Sequence, residues 1–175
     1  MNRIIIGFST HKKWAPFPEI IKAIEKTNYS HVYCKLYIAE ADRWVIYHAT
    51  GRGLNFMNLD TFSEVNETIS EFSINITPEQ QVAIHQYCID RAGWDYGKLE
   101  IFGMAYCRIA RAWFDLDVNN PLGDSKTMVC SELVGNILSI IESPIPNNLL
   151  ESQGPRFIHE RLEDLSSSGI AEQIH

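Results

Sequence analysis

Residues 30–50, SHVYCKLYIAEADRWVIYHAT, constrain the fold of this chain more than any other stretch. Val32, Cys34, Leu36 and Ile38 alternate with His31, Tyr33, Lys35 and Tyr37. Successive side chains on a strand point to opposite faces, so this is a strand with one apolar face. AEAD reads as a turn, and RWVIYHATGRG as a second strand ending at Gly51 and Gly53. The turn sets the register of the hairpin. A four-residue loop pairs Ile38 with Arg43 and sets His48 opposite Tyr33, one diagonal step from His31 and on the same face. A two-residue turn at Ala41–Asp42 sets His48 opposite Lys35 instead. The face is then unchanged, but the two histidines move apart.

The rest of the chain supplies further strands and several helices. RIIIGFS is a β-branched run read as a strand running into a loop at Gly7 and Ser9. FPEIIKAIEKT, with Pro18 early and apolar Ile20, Ile21 and Ile24, is a short helix. The stretch from Leu54 to Asn75 is mixed, with SEFSINI as a strand. Thr77, Pro78 and Gln80 have the spacing of a capping box at the start of a helix whose apolar side is Val82, Ile84, Tyr87 and Cys88. A further helix is expected over Glu100 to Trp113, followed by the loop DLDVNNPLGDSK. TMVCSELVGNILSII reads as a buried helix ended by Ser143–Pro144. One more short helix begins near Pro155, ahead of the polar SSSG. The class is α+β, a small antiparallel sheet packed against helices. At 175 residues the chain reads as a single domain, residues 1–175, with a core over about 1–145 and a helical tail over 146–175.

Charge and composition exclude several function classes. Fifteen basic against 22 acidic residues leave −7, which disfavours nucleic-acid backbones and anionic membranes as main partners. No run of eighteen apolar residues exists, so no membrane span is expected. MNRIIIGFSTHKKW has only three Ile before Gly7, too short for a signal-peptide apolar segment. Synthesis in a cytoplasm is therefore expected, with Cys34, Cys88, Cys107 and Cys130 as free thiols. His31 and Cys34 point to opposite strand faces and cannot share a zinc ion. Asp115 and Asp117 are a weak metal signal, and there is neither a phosphate loop nor an H-E-x-x-H pair, so no cofactor is expected.

Cys130 is the candidate nucleophile. It stands at the start of its helix, where unpaired backbone N–H groups and the helix dipole favour thiolate over thiol. Those N–H groups also suit an oxyanion. A thiol nucleophile needs a base held by a third group, and the hairpin offers His31 and His48. Each has a plainer reading: a cysteine in an apolar helix is usually a packed thiol, and a strand histidine is usually structural. Cys34, Cys88 and Cys107 read as core. His11, with Lys12 and Lys13, is a solvated loop or a wall of a substrate groove. Tyr96 reads as packing, and Glu132 as serving the helix N-terminus.

The run SHVYCKLYIAEADRWVIYHAT resembles the His strand and following strand of NlpC-type papain-like cysteine peptidases. The cysteine, in VCSELV, comes after the histidines, which resembles the circularly permuted branch that includes relatives of lecithin–retinol acyltransferase. WDYGKLEIFG is similar to the G-x-x-Y segment that precedes the cysteine helix there. The short N-terminal half, GFS before a helix and then YSHV, also resembles small phage-encoded proteins of this type. The resemblance implies a papain-like fold with Cys130 as nucleophile, His31 as base and His48 as the orienting third member. It implies a cysteine hydrolase of peptide or peptidoglycan-type amides, acting in the host cytoplasm or virion. Two alternatives stay open: an acyltransferase or thioesterase on lipid-like acyl groups, and a non-catalytic virion or binding protein.

Overall fold

The structure is a computed structural model that describes residues 2–96, 127–142 and 154–175. Its centre is a six-stranded antiparallel sheet in the order β4-β3-β2-β1-β5-β8. The strands are β1 (Arg3–His11), β2 (His31–Ile38), β3 (Arg43–Thr50), β4 (Gly53–Asn58), β5 (Asn66–Asn75) and β8 (Ala171–Gln173). A separate parallel pair joins β6 (Asp95–Tyr96) to β7 (Thr127–Met128). The helices are α1 (Pro16–Glu25), α2 (Leu59–Val65), α3 (Pro78–Arg91), α4 (Cys130–Ile141) and α5 (Pro155–Ser167).

The alternation in β2 decides the layering. Val32, Cys34 and Leu36 enter the main core with Ile4, Ile6, Phe8, Phe72 and Ile74 from the neighbouring strands. Helices α3, α4 and α5 complete that core through Ile84, Leu133, Val134, Ile137, Leu138, Ile158 and Leu162. Burying one such aliphatic side chain contributes about 1.5–3 kcal/mol, so α4 is held by its apolar face. On the opposite sheet face Phe62 of α2 covers Tyr33 and Ile46 in a second, smaller cluster.

The β2–β3 turn is the four-residue one. Ala39–Ala41 form a single 3₁₀ turn, Asp42 is left-handed at φ 48°, and Ile38 pairs with Arg43. The Thr77–Gln80 capping box is present in both directions, at 3.2 and 2.9 Å. Cys34 and Cys88 are fully buried core thiols.

Some expectations need correction. RIIIGFS does not end as a strand at Gly7: β1 continues to His11, and Gly7 sits mid-strand. A Cβ there would lie 2.2 Å from Tyr33 Cζ, so the absent side chain is what lets the Tyr33 ring lie across β1. Val82 is 66% exposed, and the buried side of α3 is carried by Ile84 and Cys88. Helix α2 and strand β8 were not foreseen. The helix expected over 100–113, the loop with Asp115 and Asp117, Cys107 and the stop at Ser143–Pro144 lie outside the described residues, as does the Tyr96 side chain. No helix among the described residues is long and apolar enough to cross a membrane.

Candidate active site

Two strands bring the histidines together. Pairing between β2 and β3 runs from Ile38–Arg43 to Cys34–Tyr47, and the same register carried one step further sets His48 diagonally from His31. Nε2 of His31 lies 3.2 Å from Nδ1 of His48, with the ring centroids 5.3 Å apart. Phe62 packs against both rings, at 6.4 and 5.5 Å. The α2 segment therefore holds the pair from the solvent side of the sheet.

Both imidazoles are kept neutral. Burial, and then the neighbouring His48, lowers the pKa of His31 to about 3. Burial lowers that of His48 to about 4, opposed by the Asn55 side chain. A neutral histidine near a thiol can accept a proton; an imidazolium cannot.

Cys130 opens α4 and is 3% exposed. Its sulfur faces the backbone N–H groups of Val32, Ser131 and Cys130 itself, each favouring the thiolate, and the Glu25 carboxylate disfavours it. Burial is the largest influence, and the thiol is pushed up to about 11. The thiolate expected at this helix start is thus overturned by desolvation. Three amide dipoles and a helix end reduce the cost of the charge without removing it.

The three candidates are not equally joined. The structure brings His31 to His48. It brings Cys130 to the backbone of Val32, the residue after His31, and α4 packs on both β2 and β3. Among the described residues no hydrogen bond joins Cys130 to His31. Strand alternation explains this: Val32 faces the core that holds Cys130, while His31 shares its face with Tyr33.

A groove of about 490 Å³ opens onto the histidine pair. Phe17, Pro18 and Ile21 of α1 form an apolar wall, facing Ala49 and Thr50 of β3, and His11 lines it too. His11, exposed at the end of β1, is thus both solvated and a lining residue of this groove. Cys130 does not line this groove. Glu132 lies in the first turn of α4, as expected for a residue serving the helix start.

Two polar residues near the pair escaped the sequence reading. Asn55 stands directly across the ladder from His48, and Asn66 lines the groove. Asn55 was findable. Thr50–Gly-Arg–Gly53 is a two-residue turn, and counting back from it pairs His48 with Asn55. Among the described residues no group of three His, Cys, Asp or Glu side chains is placed to hold a metal ion. Comparison of the chain with protein-family models and with curated proteins finds no match.

Proposed function

We propose that this chain is a cysteine-dependent hydrolase of amide bonds, of the papain-like, permuted NlpC type, acting through an acyl-thioester. The observation that carries this reading is the His31–His48 pair at 3.2 Å, one residue from the backbone amide that meets the Cys130 sulfur and beside a substrate-sized groove.

In this reading the resting state is a thiol beside a neutral imidazole. This reading requires the Cys130 sulfur, which meets the Val32 amide on the core side of β2, to reach the free nitrogen of His31, Nδ1, in the substrate-bound form of the site. The sulfur attacks the substrate carbonyl carbon as its proton passes to Nδ1, and the carbonyl π pair moves to oxygen. First-turn N–H groups of α4 receive the oxyanion. Collapse breaks the C–N bond, and the amine leaves with the proton from His31. Water then attacks the thioester, giving its proton to His31, which returns it to sulfur as the acid departs. His48 holds the His31 ring and stabilises the imidazolium that forms transiently, the orienting role of a third triad member.

The apolar wall of Phe17, Pro18 and Ile21 favours a second reading with the same chemistry. An acyl group of lipid-like character would lie there, and an alcohol or amine would replace water as the acceptor.

The test is covalent trapping. Incubation with p-nitrophenyl acetate, followed by intact-mass measurement and peptide mapping, should add one acetyl group on Cys130, absent in Cys130→Ser. Acetylation spread over Cys34, Cys88 and lysines, unaffected by Cys130→Ser, would overturn the proposal.

A further inference from the structure

The hydrogen bond between His31 and His48 works for catalysis in only one of its two tautomeric forms. If His48 donates through Nδ1, then His31 keeps its proton on Nδ1, and that nitrogen cannot take one from a thiol. If His31 donates through Nε2, its Nδ1 is bare and His48 carries its proton on Nε2. Nothing in the two rings themselves selects between these forms.

The selection lies on β4. Asn55 is the cross-strand partner of His48, so the two side chains rise from the same sheet face as direct neighbours. The orientation of its amide is fixed chemically. Nδ2 donates to the carbonyl oxygen of Gly53 at 3.0 Å and reaches Thr50 Oγ1 at 3.5 Å. A carbonyl oxygen only accepts, so the nitrogen end must face Gly53, and Oδ1 is the end left for His48. His48 Nε2 is buried and has no partner within hydrogen-bond distance among the described residues. An oxygen beside it calls for a proton on that nitrogen. The Asn55 side chain also favours the protonated imidazole of His48.

We infer that Asn55 is the positioning residue that sets the tautomer of the pair: its anchored amide keeps the His48 proton on Nε2, the His31 proton on Nε2, and His31 Nδ1 bare. The chain of polarity runs Gly53 carbonyl, Asn55 amide, His48, His31. The inference rests on the proposed role of His31 for its consequence in catalysis, though the tautomer itself does not depend on that role.

The experiment combines histidine ¹⁵N NMR with acylation by p-nitrophenyl acetate, in the full chain and in Asn55→Leu, Asn55→Ala and Asn55→Asp. Two- and three-bond N–H correlations should show both His31 and His48 protonated on Nε2 in the parent. In Asn55→Leu and Asn55→Ala the pair should become a mixture of tautomers. Acylation of Cys130 should then fall roughly 10–100-fold, the scale on which outer partners of functional histidines act. Asn55→Asp keeps an acceptor facing His48, so it should hold the parent tautomer, with the acid limb of its pH profile moved to higher pH. Two apolar variants guard against one that does not fold. The inference is overturned if the parent shows His31 protonated on Nδ1, or if both apolar variants keep the parent tautomer. If Asn55 variants shift the tautomer while His31→Ala leaves acylation unchanged, the inference stands and the proposed role of His31 fails.

Discussion

His31 Nε2 and His48 Nδ1, 3.2 Å apart, must share one proton between them, and each ring is neutral because burial opposes its charge. In the proposed hydrolase, two neutral imidazoles in this arrangement act as a base with a built-in support. When His31 takes a proton, His48 accepts from its Nε2–H and spreads the charge without a full carboxylate beside it. His31→Ala should therefore lower the rate of Cys130 acylation by about 10²–10⁴, the usual contribution of a positioned base. His48→Gln, which retains an acceptor, should lose less than His48→Ala. Stopped-flow release of p-nitrophenolate measures both, and equal losses for Gln and Ala would remove His48 from the orienting role.

The same burial makes the fold sensitive to acid. The unfolded chain takes up protons on these histidines near pH 6.5, while the folded protein refuses them until about pH 4 for His48 and about pH 3 for His31. Their contribution to stability is complete above pH 6.5 and is lost as pH falls toward those values. The slope is up to about 1.4 kcal/mol per pH unit for each histidine. Urea unfolding at pH 7.0, 5.5 and 4.5 should show this loss, with a shallower slope in His48→Gln. Parallel slopes would mean that the pair is not what titrates.

Gly7 and Tyr33 provide a stability test away from the chemistry. A methyl at residue 7 would meet the Tyr33 ring at 2.2–2.6 Å. That ring donates its hydroxyl hydrogen to Glu71 at 2.6 Å and lies 3.1 Å from Thr68 Oγ1, so it cannot step aside freely. Overpacking of this kind costs about 1–3 kcal/mol. Gly7→Ala should unfold at lower urea with an unchanged m-value. Stability equal to the parent would show that the ring has another resting place.

How much of this was legible in the sequence follows from the range of each signal. The β2–β3 hairpin and the shared face of His31 and His48 were readable because period-two alternation is local; of the two turns left open, the structure has the four-residue one, which sets the diagonal. The Thr77 capping box was readable for the same reason. Gly7 was misread because the Tyr33 ring that crosses it comes from the neighbouring strand. Helix α2 was missed because LDTFSEV is short and only Phe62 among it is buried; its reason for existing is the Tyr33–Ile46 cluster it covers. The protonation state of Cys130 could not be read locally at all. A helix start favours the thiolate, yet burial under the sheet decides the outcome, and burial is a property of the whole core.

The most direct test of the central claim is the pH dependence of Cys130 acylation by p-nitrophenyl acetate, with and without His31. A buried thiol served by a neutral imidazole should be acylated at a rate that is nearly flat from pH 5 to pH 8 and slower in D₂O, because the proton moves as sulfur attacks. In His31→Ala that plateau should vanish, leaving only a rise toward the thiol's own pKa of about 11. A parent profile that already rises monotonically toward pH 11, unchanged by His31→Ala, would contradict the pairing of Cys130 with His31.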